Sequence, residues 1–142
     1  MAADLDGEAE TASSTTVSDT PAFSAPGLFA WLLEATDGQL DELGFGVIGL
    51  DENLVCTNYN SLESQMAGLS KERVIGELFF EHVAPCMNNF MIADVLHGSE
   101  DVDVTIAYTL SVRVKPTPVD LRLLAAAQEP RRFLVIDWSA AQ

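Results

Sequence analysis

The feature that most constrains this chain is the stretch "VDVTIAYTLSVRV" at residues 102–114, in which apolar and polar side chains alternate. The apolar positions are Val102, Val104, Ile106, Tyr108, Leu110, Val112 and Val114. Because successive side chains of a strand point to opposite faces of a sheet, the alternation predicts a strand with one buried face. The next four residues, "KPTP", predict a turn.

Four further segments predict strands. "FGVIGLDENLVCTNYN" predicts two strands joined by a tight turn, and "VDLRLLAAA" and "RRFLVIDW" predict two more near the C-terminus. Short helical patterns lie between the two groups of strands. This order predicts an α+β domain with a central antiparallel five-stranded sheet and flanking helices. It resembles the order of PAS domains, whose helical middle forms a pocket against the sheet.

The part of the chain before the first strand divides in two. Residues 1–20 are rich in Ser, Thr, Ala, Asp and Glu and nearly lack bulky apolar side chains, which predicts a disordered acidic tail. Residues 21–42 contain apolar side chains at helical spacing and predict an N-terminal helical cap. The sheet domain is then expected over residues 43–142.

Charge and cysteine content restrict the classes of partner and the compartment. The formal net charge is −15, and no basic residue precedes Lys71, which argues against nucleic acid and anionic lipid as partners. The N-terminus is acidic and lacks an apolar segment, so we expect no secretory signal, and no apolar run approaches the roughly 18 residues that span a bilayer. Two distant cysteines and two histidines lack zinc-site spacing. We expect a cytoplasmic protein, a monomer or weak dimer, without a metal.

Cys86 raises the main functional question, because it directly follows a proline at the end of the apolar turn "FFEHVAPC". Such a cysteine can be a small buried side chain, a metal ligand, a nucleophile or an attachment point. His82 lies four residues earlier and could activate a thiol, but no acidic residue or amide is obviously placed to orient it. Cys56 lies in an apolar strand and is predicted to be a core residue.

Four segments carry a resemblance to a known family: "DGQLDELGFGVIGLD", "NYNSLES", "VIGELFFEHVAPC" and "YT…PTPV". They look like the photoactive yellow protein family, the blue-light receptors of the PAS superfamily. The resemblance covers roughly residues 20–138, with a short deletion after Cys86. "DGQLD" before "FG", followed by "VAPC", is more specific than any general PAS pattern, because PAS domains in general have no fixed cysteine there.

The resemblance implies a covalent chromophore, 4-hydroxycinnamic acid (p-coumaric acid), held as a thioester by Cys86. It implies that Tyr59 and Glu63 contact the phenolic end of that group. The chromophore-binding residues expected from the resemblance are Tyr59, Glu63, Ala67, Ile48, Val83, Tyr108 and Val114. Residues 43–142 then form a PAS-type chromophore-binding domain.

Elementary chemistry is consistent with these roles. A free phenol has a pKa near 10, so an apolar pocket that holds a phenolate must donate hydrogen bonds to its oxygen. Tyr59 can donate one, and Glu63 can donate one if burial keeps it protonated. Their spacing of four residues lets them converge where a helix begins near Asn60. Loss of the proton from Glu63 would leave a costly buried carboxylate, and we expect this cost to drive partial unfolding.

Three positions depart from the family pattern. The family's threonine is Ala67 here, its arginine is Leu69, and the methionine that helps the chromophore re-isomerise is Val114. These departures affect the expected colour and recovery rate rather than attachment.

The sequence therefore predicts a light sensor without enzymatic turnover, which acts on a protein partner that the sequence does not identify. Two alternatives remain open at this point. One is a light-insensitive PAS interaction or ligand-binding module in which Cys86 is unused, and the other is a thiol enzyme that uses Cys86 and His82.

Overall fold

The computed structural model of the protein describes residues 20–112 and 115–139. Apart from Thr20, the predicted acidic tail at residues 1–20 lies outside the described residues, and so does Val114. Within the described part of the chain, no helix is long and apolar enough to cross a lipid bilayer.

The centre of the domain is one antiparallel sheet of five strands. The strands are β1 (Gly46–Leu50), β2 (Cys56–Tyr59), β3 (Val102–Val112), β4 (Lys115–Ala126) and β5 (Glu129–Asp137). Their spatial order is β2-β1-β5-β4-β3, so the first strand pairs with the last and β3 forms an edge. The predicted α+β fold with a five-stranded sheet is confirmed.

Two short helices cover one face of the sheet and form the N-terminal cap. They are α1 (Leu28–Glu34) and α2 (Asp37–Leu40). The helical spacing of Leu28 and Leu32 puts both side chains on the inner side of α1, where they are fully buried. They belong to one apolar cluster with Val47 and Phe133 of the sheet, which holds the cap by hydrophobic burial.

Arg122 of β4 fastens the segment that precedes α1. Its side chain is only 5% exposed and makes two parallel hydrogen bonds to the carboxylate of Asp103, at 2.8 and 2.9 Å. Its Nη1 donates to the backbone carbonyls of Phe23 and Ala25, both at 2.8 Å. A buried guanidinium with a bidentate partner is held rigidly, so this residue ties the start of the cap to the sheet.

The other face of the sheet is covered by the helical middle of the chain. Its elements are α3 (Ser61–Ala67), α4 (Lys71–Val74), a π-helical turn (Phe79–Val83), a 3-10 turn (Pro85–Met87) and α5 (Ala93–His97). Ile48, Leu121 and Leu134 of the sheet lie in one apolar cluster with Phe79 and Leu96 of these elements. Since Val47 faces the cap and Ile48 faces the middle, β1 has two buried faces.

The turn predicted at "KPTP" is wrong, because these residues begin strand β4. Pro116 and Pro118 pair with β3 opposite Ser111 and Thr109. The other neighbour, β5, pairs with β4 only from Asp120 onward. The prolines therefore lie where one flank of β4 has no partner strand, a place where a missing N–H breaks no ladder.

The predicted buried face of β3 is only partly confirmed. Leu110 is buried, but Val104 is 45% exposed, and the apolar residues between them are half-buried. The reason is the position of β3 at the edge of the sheet, where the face is covered unevenly: Val102 and Ile106 pack partly against the core cluster and Val104 does not. Alternation predicts which side chains share a face but not how far that face is covered.

The buried side chain of Asn60 joins three parts of the fold. Its Oδ1 accepts hydrogen bonds from the backbone N–H groups of Val47 at 2.9 Å and Glu63 at 3.1 Å. Its Nδ2 donates to the carbonyls of Leu40 at 2.9 Å and Phe45 at 3.0 Å. With 1% exposure, this amide caps α3 and also satisfies backbone groups of the cap and β1.

We expect Asn60→Ala to lower the free energy of unfolding by about 3–5 kcal/mol, because it leaves several buried backbone groups without partners. Urea unfolding followed by circular dichroism measures this change. Asn53→Ala is the matched control, since Asn53 is exposed in the β1–β2 turn, and we expect a change within about 0.5 kcal/mol. Equal urea midpoints for the two variants would contradict the role given to Asn60.

Candidate functional site

A cavity of about 270 Å³ lies between the sheet and the helical middle. Its lining consists of Tyr59, Glu63, Ala67, Leu69, Phe79, Val83, Ala84, Pro85, Cys86, Met87, Leu110, Ser111, Val112 and Trp138. Most of these side chains are apolar, and the few polar groups among them would fix the orientation of a bound molecule.

Glu63 is a buried acid in the wall of this cavity. It lies in the first turn of α3, and its side chain is 3% exposed. Its Oε1 accepts a hydrogen bond from the indole Nε1 of Trp138 at 2.8 Å. Burial raises the pKa of Glu63 from its ordinary value of 4.5 to about 7, and the bond from Trp138 offsets part of this rise. Near neutral pH the group therefore exists in both forms, and at pH 6 it is mostly a neutral acid.

Tyr59 is the second polar group at the same end of the cavity. It ends β2 directly before Asn60, and its side chain is 3% exposed. Burial raises the pKa of Tyr59 above its usual range, and the nearby Glu63 and Cys56 raise it further. Within residues 20–112 and 115–139, its hydroxyl has no hydrogen-bond partner, so it is free to donate to a ligand in the cavity.

Cys86 lies at the mouth of the cavity. It is the middle residue of the 3-10 turn Pro85–Met87 and is exposed, so its thiol can be reached from solvent. Its backbone carbonyl accepts a hydrogen bond from the hydroxyl of Tyr108 at 2.8 Å, and Asn89 donates to the same hydroxyl at 2.8 Å. These bonds fix the turn that carries Cys86 against strand β3.

The other cysteine is chemically unlike Cys86. Cys56 is 1% exposed in β2, and burial raises the pKa of its thiol to about 12. A thiol that is both covered and protonated is unreactive. Cys86 is therefore the accessible thiol of the two.

The structure brings together most of the site residues predicted from the sequence. Tyr59, Glu63, Ala67, Val83 and Cys86 all line the cavity. Two predicted residues lie beside it instead. Ile48 is buried in the core, paired with Tyr59 across β1 and β2, and Tyr108 holds the backbone of Cys86. The predicted Val114 lies outside the described residues.

His82 has an acidic neighbour, which corrects the expectation that none is placed to orient it. Its Nδ1 lies 3.2 Å from Oε1 of Glu77. Both side chains are about half exposed, and His82 is not part of the cavity lining. The pair lies in solvent, outside the cavity wall to which Cys86 belongs.

Trp138 is one of several lining residues absent from the predicted set, and the one that contacts Glu63. It directly follows β5 and is 2% exposed, with its indole N–H on Glu63. Only a general rule could have indicated its role. A buried tryptophan needs an acceptor for its N–H, and a buried acid such as Glu63 is a candidate because it needs a hydrogen-bond partner itself. The sequence separation of 75 residues hid the pairing.

Comparisons with known proteins agree on the family. A family model described as the PAS fold matches residues 34–135. The chain is 31% identical over 93 residues to photoactive yellow protein from Rhodothalassium salexigens. The aligned region covers 63% of this chain and 74% of that protein. It is also 31% identical over 110 residues to photoactive yellow protein from Halochromatium salexigens. This aligned region covers 74% of this chain and 86% of that protein.

Solved structures show the same similarity. The photoactive yellow protein domain of the sensor histidine kinase Ppr from Rhodospirillum centenum has a TM-score of 0.66 and 28% identity, covering 75% of this chain and 96% of that chain. The PAS domain of an HTR-like protein from Haloarcula marismortui has a TM-score of 0.55 and 15% identity, covering 77% of this chain and 96% of that chain, and shows the fold alone.

We expect the unliganded protein to lose about 3 kcal/mol of unfolding free energy as the pH rises from 4.5 to 7 and above, because of Glu63. Below this window Glu63 is protonated in both the folded and unfolded states. Within it only the unfolded chain releases the proton, so rising pH favours unfolding. Urea unfolding at pH 5, 6, 7 and 8 measures the slope.

Glu63→Gln isolates this contribution, because an amide does not titrate and occupies the same volume. The difference between wild type and Glu63→Gln should change with pH by the amount given above. Parallel pH profiles for the two proteins would show that Glu63 ionises in the folded state as it does in the unfolded state.

Proposed function

The chain belongs to the photoactive yellow protein family of the PAS superfamily, and we propose that it is a blue-light photoreceptor carrying 4-hydroxycinnamic acid as a thioester on Cys86. In this proposal it signals by chromophore isomerisation, proton transfer from Glu63 and partial unfolding. It acts as a sensor without enzymatic turnover.

One observation carries the proposal: two buried groups that can donate a hydrogen bond, Tyr59 and Glu63, line the same apolar cavity as an accessible thiol, Cys86. Two buried O–H groups at one end of a cavity suit an anionic oxygen, which accepts strong hydrogen bonds from both. A thiol at the cavity mouth suits a carboxylic acid derivative at the other end of the same molecule. A 4-hydroxycinnamoyl group has a phenol at one end and a carboxyl carbon at the other.

The lining fits the rest of that group. The cavity is near the lower limit of volume for small-molecule sites, about 270 Å³, which suits a single aromatic ring with a short chain. Phe79, Val83 and Leu110 supply apolar surface for the ring. When bound, the group would supply the light absorption and the double bond that isomerises.

The residues of the chain then control one proton. In the dark, Tyr59 and Glu63 would keep their protons and hold an anionic oxygen of the group by hydrogen bonds. In the light, Glu63 would release its proton and remain as a carboxylate, 3% exposed. An ionised carboxylate without a full set of partners costs several kcal/mol in such a site. This cost is comparable with the roughly 5–15 kcal/mol that stabilises a small domain.

A route from Glu63 to the cap is available through Asn60. The backbone N–H of Glu63 donates to Oδ1 of Asn60, and Nδ2 of the same amide donates to the carbonyl of Leu40 at the end of α2. Movement of the first turn of α3 would therefore strain the contact that holds α2. We propose that the N-terminal cap is the part that undocks.

Two lining residues distinguish this site from the family pattern. Ala67 stands where the family has threonine, and Leu69 stands where it has arginine, and both line the cavity. Of the lining residues that the structure describes, none carries a positive charge. The phenolate would depend on Tyr59 and Glu63 without a counter-charge from the lining.

We also propose that the protein acts in the cytoplasm on a protein partner, as a monomer or weak dimer. The net charge of −15 supports a partner that is neither nucleic acid nor an anionic membrane.

We expect Cys86→Ala to abolish attachment of the chromophore while the domain stays folded. In the wild type, the thiol loses its proton and displaces the leaving group of an activated 4-hydroxycinnamic acid, which adds one acyl group. Mass spectrometry and absorption spectra measure attachment, and Cys56→Ala is the control that should still gain the acyl group. Covalent colour in Cys86→Ala would overturn the assignment. A wild type that gains no acyl group would instead support a light-insensitive PAS module.

Glu63→Gln should keep the chromophore and shift its absorption to the red. An amide is a weaker donor to a phenolate than a carboxylic acid, so the anionic ground state is less stabilised. The light-driven proton transfer should also be lost, which infrared difference spectroscopy detects in the carboxyl region. Glu72→Gln on the exposed side of α4 is the control and should leave both signals unchanged. A wild-type spectrum for Glu63→Gln would mean that Glu63 does not contact the phenolate.

A further inference from the structure

The hydrogen bond between Trp138 and Glu63 makes the two oxygens of the carboxyl group unequal. Oε1 accepts from the indole Nε1 at 2.8 Å, and both side chains are at least 97% buried. An indole N–H can only donate, so it requires an acceptor at this position whatever the charge on Glu63. In a neutral carboxylic acid, the carbonyl oxygen is the better acceptor and the hydroxyl oxygen carries the proton.

Gly46 leaves the space in which the side chains of Glu63 and Trp138 meet. A Cβ atom at Gly46 would overlap Oε1 of Glu63 and would lie 3.1 Å from Nε1 of Trp138. The carboxyl group and the indole therefore meet directly over the backbone at the start of β1, where no other residue type leaves enough room. This close fit restricts the carboxyl group, with Oε1 against Gly46 and Trp138.

We propose that Trp138 is a positioning residue for Glu63, whose indole N–H fixes Oε1 as the carbonyl oxygen and leaves the proton on Oε2. The proton is then held on the oxygen that is free to donate to a molecule in the cavity. When Glu63 releases it, the O–H bond at Oε2 breaks, the electron pair stays on the carboxylate, and Trp138 remains bonded to Oε1. No oxidant or further reactant is needed.

The same bond reduces the cost of the buried charge. A donor that faces a carboxylate binds it about twice as strongly as it binds a neutral carbonyl. Trp138 therefore favours the ionised form of Glu63 and makes proton release easier than burial alone allows. In the described part of the chain, the other titratable groups of the cavity lining are Tyr59 and Cys86, and neither is a cation.

The dark-state part of this inference can be tested without a chromophore, and only the light-state part rests on the proposed function. The chain has two tryptophans, Trp31 and Trp138, so nuclear magnetic resonance of the unliganded protein shows two indole N–H signals. We expect one signal to shift with pH at a midpoint near 7, the pKa of Glu63, and to stop shifting in Glu63→Gln. The other signal, from Trp31 on the opposite face of the sheet, should not follow this titration.

Trp138→Phe tests the role of the donor, because it removes the N–H and keeps an aromatic ring. Above pH 6 exposed carboxyl groups are ionised, so the infrared band of protonated carboxyl reports Glu63. We expect this band to move to higher wavenumber and its titration midpoint to rise by about one pH unit. Trp31→Phe, in the cap cluster, is the matched control and should change neither.

With the chromophore attached, Trp138→Phe should lower the population of ionised Glu63 in the light by up to about tenfold, which corresponds to one pH unit. The inference is overturned if neither indole signal follows Glu63, or if Trp138→Phe leaves the carboxyl band and its midpoint unchanged. If Trp138→Phe fails to fold, the titration of the indole signal in the wild type is sufficient to test the inference. Failure of the protein to take up a chromophore would overturn the proposed function and leave this titration as the test of the pair.

Discussion

The side chain of Asn60 is the contact on which the arrangement of this domain depends. Its amide satisfies backbone groups at the end of α2, at the start of β1 and in the first turn of α3. Those elements lie on both faces of the sheet, so one residue joins the cap to the helical middle. Because Tyr59 and Glu63 flank Asn60 within four residues, the cavity wall and the cap share this support.

The chemistry of the cavity follows from burial rather than from ion pairing. Among the lining residues within 20–112 and 115–139 none is a cation, and the neutral donor Trp138 is the group there that favours the ionised form of Glu63. Burial raises the pKa of Glu63 and of Tyr59 and so favours their protonated forms, which are hydrogen-bond donors. The same burial makes the ionised form of Glu63 unfavourable, so the property that tunes a bound anion also stores the energy for a change of shape.

Local sequence patterns predicted the helices and strands of this fold. The features that they did not predict depend on contacts between residues far apart in the sequence. Periodicity predicted five strands around a helical middle, and the structure has them. Tyr59 and Glu63, four residues apart, line the same cavity. The spatial order of the strands does not follow from local patterns. The strand through Pro116 could not be foreseen, because it depends on where a neighbouring strand ends. Likewise the exposure of Val104 depends on the cover over an edge strand, and the partner of Trp138 lies 75 residues away. The roles at the phenolate remain predictions from the family resemblance.

The way Arg122 holds the segment before α1 has a consequence for how this protein can diverge. Its guanidinium binds the backbone carbonyls of Phe23 and Ala25, and every amino acid carries a backbone carbonyl. These hydrogen bonds from Arg122 therefore depend on the position of the backbone and not on the identity of the side chains. Exposed residues there, such as Ser24, can be exchanged over evolution without loosening these hydrogen bonds, whereas Phe23 also packs its ring on Phe45 and Arg122 depends on its partner Asp103. Relatives could thus acquire different surfaces on the cap, and different partners, while the hydrogen bonds from Arg122 to the backbone stay the same.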